Sequence, residues 1–167
     1  MLMPDYYFRR ITDIPLSFMR DNRIEALLLD ADGTLTPDGV LTLGDDVLTW
    51  IDSMRSAGIR MSLVSNNHEE RVRRFADRYG FAYVYEAKKP LKGSLERSLR
   101  SVDGTKENTA VIGDQIFTDV WYAKNCGIRS ILVDPMAKDI YPFVVVKRFF
   151  EGPFRRAVRR KFRKEGK

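Results

Sequence analysis

The chain has a single cysteine and a single histidine among its 167 residues. One cysteine, Cys126, excludes an intramolecular disulfide and any cysteine-cluster metal site. It lies in Ala-Lys-Asn-Cys-Gly, at an expected helix end, and reads as a small packing residue in a reducing compartment. One histidine, His68, is too few for a histidine-ligated metal and reads as a surface residue. No apolar run approaches the length of a membrane span. No stretch runs from basic to apolar to small residues as a signal peptide does, so a cytoplasmic setting is expected. Repeats and low-complexity linkers are lacking too, and the length suits about one domain.

Charge is plentiful but unevenly placed. Residues 147–167 hold ten Lys or Arg against two Glu, a balance of +8; the other 146 residues hold 19 against 21, or −2. The division drawn from this is a domain over 1–146, including an N-terminal arm, and a basic amphipathic tail over 147–167. In the tail, Phe154, Ala157, Val158 and Phe162 recur at helical spacing, with Arg155, Arg156, Arg159, Arg160 and Arg163 between them. Such a segment suits an anionic bilayer, or packs its apolar edge on the domain with its arginines in solvent. The arm, with Tyr6, Tyr7 and Phe8 beside Arg9 and Arg10, reads either as packing over the domain or as an interfacial patch.

Apolar runs bounded by turn residues predict five parallel strands, at about 24–30, 60–65, 81–85, 108–113 and 129–133, alternating with helices at 45–57, 69–79 and 91–102 and with one that holds Asp119 in its first turn and continues over 120–126. Residues 40–43 suit a small flap. In an open α/β sheet the chemistry collects at the carboxyl ends of the strands. The polar residues stand there: Asp30 and Asp32 after the first strand, Ser65-Asn66-Asn67 after the second, Lys88-Lys89-Pro90 after the third, and Asp114 with Asp119 after the fourth. Buried acids are costly unless paired or metal-bound. Several carboxylates converging with a lysine make an oxygen-ligand site of the kind Mg²⁺ takes, with room for a phosphate. A carboxylate there can serve as nucleophile and its neighbour as proton donor.

The order Asp30-Ala-Asp32-Gly-Thr, strand-end Ser65, Lys89-Pro90, then Gly113-Asp114-Gln-Ile-Phe-Thr-Asp119 resembles the haloacid dehalogenase (HAD) superfamily of phosphatases. The resemblance implies a Rossmann-like fold with Asp30 as nucleophile, Asp32 as general acid/base, Ser65 and Asn66 meeting the phosphoryl group and Lys89 stabilising it. Lys88 is the alternative lysine. By the same resemblance Asp30, Asp114 and Asp32, the last through its carbonyl, bind Mg²⁺, and Asp119 supports the site. The intervals from Asp30 to Ser65 and from Ser65 to Lys89 hold no inserted cap domain. Pro4-Asp5-Tyr6, Asp13-Ile14-Pro15, Ser65-Asn66-Asn67, Ala87-Lys88-Lys89-Pro90 and Gly113 to Val120 are similar to the bacterial YqeG family, in HAD subfamily IIIA. Ala31 stands where that family more often has Leu or Ile, and Gly33 where it often has Asn. This resemblance implies dephosphorylation of phosphatidylglycerophosphate, and the basic tail suits a protein peripheral on the inner face of the membrane. A soluble phosphatase for a sugar phosphate or nucleotide is the alternative. A nucleic-acid module using the tail is a third reading, disfavoured because clustered acids repel nucleic acid.

Overall fold

The computed structural model describes residues 2–137 and 142–164. Its centre is a six-stranded, wholly parallel sheet in the order β1-β6-β5-β2-β3-β4. The strands are β1 (Tyr6–Phe8), β2 (Ala26–Leu29), β3 (Arg60–Val64), β4 (Ala82–Val84), β5 (Thr109–Gly113) and β6 (Arg129–Val133). Six helices accompany them: α1 (Leu16–Asp21), α2 (Asp45–Ser56), α3 (Glu69–Tyr79), α4 (Leu95–Ser101), α5 (Trp121–Cys126) and α6 (Pro142–Lys164). Every residue of β2 and β5 is buried, as expected of central strands covered on both faces. Leu27, Leu29, Ala110 and Ile112 face one core with Trp50, Met54 and Phe75, whereas Ala26, Leu28 and Val111 face a second with Tyr122 and Cys126. The cysteine is thus a packed core residue, as expected.

The sheet has one strand more than the five expected. Tyr6–Phe8 pairs in parallel with β6, Tyr6 opposite Ile131 and Phe8 opposite Val133. Three residues between Asp5 and two arginines carry no strand signal alone; the exposed edge of β6 supplies the pairing. Asp5 locks the register by accepting hydrogen bonds from the Ser130 N–H and hydroxyl, both at 2.8 Å. Tyr6 and Phe8 then stack edge-on against Phe18 of α1. The aromatic arm is part of the fold.

Two other expectations shift. The helix expected over 91–102 is a 3₁₀ turn at Lys92–Ser94 followed by α4, so Pro90 precedes the helical turn. The helix expected over 120–126 is α5, and a π-turn at Ile116–Val120 leads into it. Residues 40–43 form no regular element, and no inserted domain stands among residues 30–44 or between β3 and β5.

Helix α6 passes straight through the 146/147 division. Val158 and Phe162 are buried with Ile116, Val120 and Leu132, and Phe154 packs beside them. The apolar edge of the basic segment therefore closes a third core under the π-turn. Deleting residues 153–167 removes two fully buried side chains, and a loss of about 3–6 kcal/mol is expected. A urea titration measures it; a midpoint equal to that of the full chain would show α6 to be an appendage.

Candidate active site

Asp30 follows β2 directly, and its backbone N–H still reaches the Ile112 carbonyl at 2.9 Å. The ladder with β5 therefore fixes where its side chain emerges. Asp114 follows the last residue of β5 and is wholly buried. Asp119 arrives from the π-turn: the Gln115 carbonyl accepts the Asp119 N–H at 2.9 Å and also the Val120 N–H, five residues on, at 3.3 Å, and Asp119 Oδ2 accepts the Gln115 N–H at 3.1 Å. An α-helical turn there would place the side chain differently; wide turns of this kind recur at functional sites. Carboxylate oxygens of Asp30, Asp114 and Asp119 all lie within 4.8 Å of one another.

Lys89 is the cation of this cluster. Its Nζ donates to Asp30 Oδ1 and to Asp119 Oδ1, each at 2.7 Å, and its side chain is only 3% exposed. Lys88, the alternative, is exposed. Asn66 fixes the Lys89 main chain from both sides: its Oδ1 accepts the Lys89 N–H at 2.7 Å, and its Nδ2 donates to the Lys89 carbonyl at 3.0 Å. The Asn66 amide, expected to meet an anionic oxygen, is occupied in placing the lysine.

Asp32 is not among the three gathered carboxylates. Its Oδ1 accepts from Arg71 at 2.7 Å and from the Gly39 N–H at 3.2 Å, and its Oδ2 accepts from Asn67 at 2.9 Å. Ser65 follows β3 and is 6% exposed, its Oγ accepting the Asn67 N–H at 3.1 Å. The site as built thus has two halves, a carboxylate–lysine cluster and a Ser65–Asn67–Asp32–Arg71 chain. Arg71 was invisible beforehand, because one arginine in the highly charged α3 carries no distinguishing signal. Arg155 and Glu151 of α6 were missed too. The Arg155 guanidinium donates to the Asp114 carbonyl, and the wholly buried Glu151 accepts the Phe117 N–H at 2.9 Å.

The electrostatics follow from burial. Removal from water pushes the Asp30 carboxyl well above the ordinary carboxylate value; the Lys89 charge opposes this, and the charges of Asp119 and Asp114 reinforce it. Burial alone would drag Lys89 down, but Asp119 and Asp30 together hold its ammonium above the ordinary lysine value. Three carboxylates around one ammonium leave two negative charges when all are ionised. All the donors gathered are hard oxygens. A divalent cation such as Mg²⁺ matches both the residual charge and the donor type.

Two glycines make room for the cluster. A Cβ on Gly113 would lie 2.3 Å from the Asp119 Cγ. On Gly33, whose φ is +81°, it would lie 2.4 Å from Asp114 Oδ2. Gly113→Ala is expected to displace Asp119 from Lys89 and cut divalent-cation affinity about tenfold or more. Calorimetric Mg²⁺ titration of the purified variant checks this; wild-type affinity would mean that Asp119 is not needed to hold the ion.

With this geometry in hand, comparison with known proteins is informative. The chain is 32% identical over 135 residues to the probable phosphatase YqeG of Bacillus subtilis (strain 168), covering 81% of this chain and 78% of that one. The chain belongs to the YqeG-like family of HAD-superfamily phosphatases. A sequence model of HAD-hydrolase-like proteins matches residues 86–135, the stretch that holds Lys89, Asp114 and Asp119. Among solved structures, the cobalt-bound deoxy-D-mannose-octulosonate 8-phosphate phosphatase of Haemophilus influenzae superposes with a TM-score of 0.53 at 20% identity, over 67% of this chain and 69% of that one. An uncharacterised protein of Listeria monocytogenes serotype 4b gives 0.56 at 14% identity, over 71% and 85%. These two likenesses establish the fold. The YqeG-like chain is thus a HAD phosphatase by family and Rossmann-like by architecture.

Proposed function

We propose that this YqeG-like chain is a Mg²⁺-dependent phosphomonoester hydrolase working through an aspartyl-phosphate, with phosphatidylglycerophosphate at a membrane surface as its substrate. The observation that carries the chemistry is the cluster of Asp30, Asp114 and Asp119 around Lys89 at the carboxyl edge of the sheet. Asp30, Asp114 and Asp119 would hold the ion through their carboxylates, and Asp32 through its main-chain carbonyl. Bound there, Mg²⁺ offsets negative charge on the phosphoryl group.

Asp30 attacks phosphorus, and the bond to the leaving oxygen breaks. Asp32 gives that oxygen a proton, then takes one from the water that hydrolyses the aspartyl-phosphate, so the two half-reactions return the site to its starting state. Arg71, Asn67 and the Gly39 N–H hold the Asp32 carboxyl, leaving its main-chain carbonyl for the ion. Lys89 offsets charge on the transferring group, and Ser65 offers it a hydroxyl. Asn66 acts through Lys89.

Support for a lipid surface comes from α6. Its apolar edge is buried, but Arg156, Arg159, Arg160 and Arg163 stay exposed, and Phe149 and Phe150 project at 80% and 62% exposure. No described helix is long and apolar enough to cross a membrane. A phosphate-release screen over lipid, sugar and nucleotide phosphomonoesters, with Mg²⁺ or excess EDTA, tests the proposal. Turnover of the lipid ester with Mg²⁺ alone is expected. Full turnover in EDTA would remove the metal, and a preference for a sugar phosphate or nucleotide would remove the lipid.

The raised Asp30 value adds a pH prediction. A carboxyl raised above its ordinary 3.8 in the folded state costs stability progressively as pH climbs past that value, because the unfolded chain ionises first. Mg²⁺ favours the ionised form. The Mg²⁺-induced rise in Tm is therefore expected to be larger near about pH 8 than near about pH 5. An equal rise at both would mean that the ion binds away from Asp30.

A further inference from the structure

The carboxyl edge of the sheet does not end at the catalytic cluster. Beyond β2 and β5 it continues to β6 and then β1. Asp134 follows β6, and Arg9 follows β1, its carbonyl accepting the Asp134 N–H at 3.1 Å. Helix α6 lies across this end, and between it and β1 is a groove of about 940 Å³. Arg9, Arg156, Arg159, Arg160 and Arg163 line it, with Tyr7, Phe8 and Phe162 as apolar walls.

The acids in the groove are already engaged. Asp134 accepts from the Tyr7 hydroxyl at 2.8 Å and from Arg159 at 2.9 Å, and Arg155 reaches it at 3.5 Å. Asp13 accepts the Arg10 N–H at 3.0 Å. Arg9, Arg156, Arg160 and Arg163 pair with no carboxylate among the described residues. Four exposed guanidinium groups in one concavity repel one another and concentrate anions. Their planar forks suit the oxygens of a phosphate.

A second cavity, of about 400 Å³, adjoins this groove on the side toward Thr34. It shares Arg9 and Asp134 with the groove, and its far wall is Thr34. The Thr34 hydroxyl is 3.4 Å from Asp114 Oδ1. With strands spaced 4.7–4.9 Å, the ends of β1 and β2 are about 14 Å apart along this edge. An extended molecule with its phosphomonoester at Asp30 would have to pass over Thr34 to reach the arginines.

We propose that this groove is a second anion subsite of the enzyme. It takes a phosphodiester group, carried either by the molecule being hydrolysed or by neighbouring lipids of the surface in which that molecule lies. The inference rests on the phosphatase reading and adds to it where the non-reacting part of the substrate is held. The aromatic walls suit the carbon skeleton between two such groups.

The test uses the full chain with Arg156→Gln/Arg160→Gln and, separately, Arg9→Gln, which lies on a different element. Three probes distinguish the sources: p-nitrophenyl phosphate, which has no second anion; a water-soluble short-chain phosphatidylglycerophosphate, used below its micelle concentration; and vesicles of phosphatidylglycerol in phosphatidylcholine, without substrate. If the second anion belongs to the substrate, the ratio of kcat/KM on the short-chain lipid to that on p-nitrophenyl phosphate falls about tenfold or more, through KM. The corresponding Arg→Lys variants regain part of it. If the anion belongs to the surface, that ratio holds and vesicle binding falls by a similar factor. Unchanged ratio and unchanged vesicle binding in both variants overturn the subsite. Should the wild-type chain hydrolyse neither ester, the phosphatase reading fails, and the vesicle arm still reports on the groove.

Discussion

Asp30→Asn is expected to fold like the parent and to release phosphate roughly 10³-fold or more slowly, whatever the ester. The amide keeps an oxygen where Lys89 donates at 2.7 Å, so the Lys89–Asp119 pair need not move. What disappears is the nucleophile and one of three crowded negative charges. Asp30 is the member of the cluster that burial and its acidic neighbours push toward the neutral form. Substituting a neutral group should therefore leave the metal-free protein as stable as the parent, or more so, while shrinking its Mg²⁺-induced rise in Tm. Single-turnover kinetics with trapping of the acyl-phosphate, alongside thermal unfolding, read both effects. Phosphate release at the parental rate would remove Asp30 as nucleophile, and a collapsed Tm would show that its charge serves the fold.

The second large effect is expected from Lys89→Met. The side chain is buried and is the cation that bonds two of the three carboxylates. Methionine fills similar volume but leaves Asp30 and Asp119 without their common donor. Removing one partner of a buried ion pair costs about 3–5 kcal/mol, because the remaining charge is stranded. The variant should be destabilised on that scale at neutral pH. It should also recover as pH falls, since protonated carboxyls need no cation. Mg²⁺ should restore part of the stability by taking over the charge balance, while activity stays low for want of the group facing the phosphoryl oxygens. Urea unfolding across pH, with and without Mg²⁺, separates these contributions. A variant as stable as the parent at neutral pH without metal would mean that the acids are neutral there, and that the lysine is not their counter-ion.

Both variants alter groups that stand at strand ends, and strand ends are where local sequence says most. A buried strand needs a short apolar run, and Ala26–Leu29, Arg60–Val64 and Thr109–Gly113 are such runs. The first polar residue after each must lie at the carboxyl edge of a parallel sheet. That puts Asp30, Ser65 and Asp114 on one edge, and the apolar spacing of Glu69–Tyr79 sets α3 to the residue. Gly113 permits close approach at the strand end, and the side chain that approaches is Asp119.

What lay beyond the sequence depended on partners distant along the chain. Tyr6–Phe8 is a strand because β6 offers it an unpaired edge; nothing in three aromatic residues specifies that. The π-turn that brings Asp119 onto Lys89 is one residue wider than an α-helical turn, and apolar periodicity does not resolve such a difference over five residues. Arg71 reaches Asp32, and Asn66 grips Lys89, across 39 and 23 residues of chain. The amphipathic pattern of 154–163 was plain, but a pattern shows only that an apolar face exists. Whether a bilayer or the domain covers it depends on whether a complementary surface is already open, and here Ile116, Val120 and Leu132 provide one. Local composition determined which residues could do chemistry and on which edge; tertiary packing decided which of them touch, because contact between distant segments is set by the whole core.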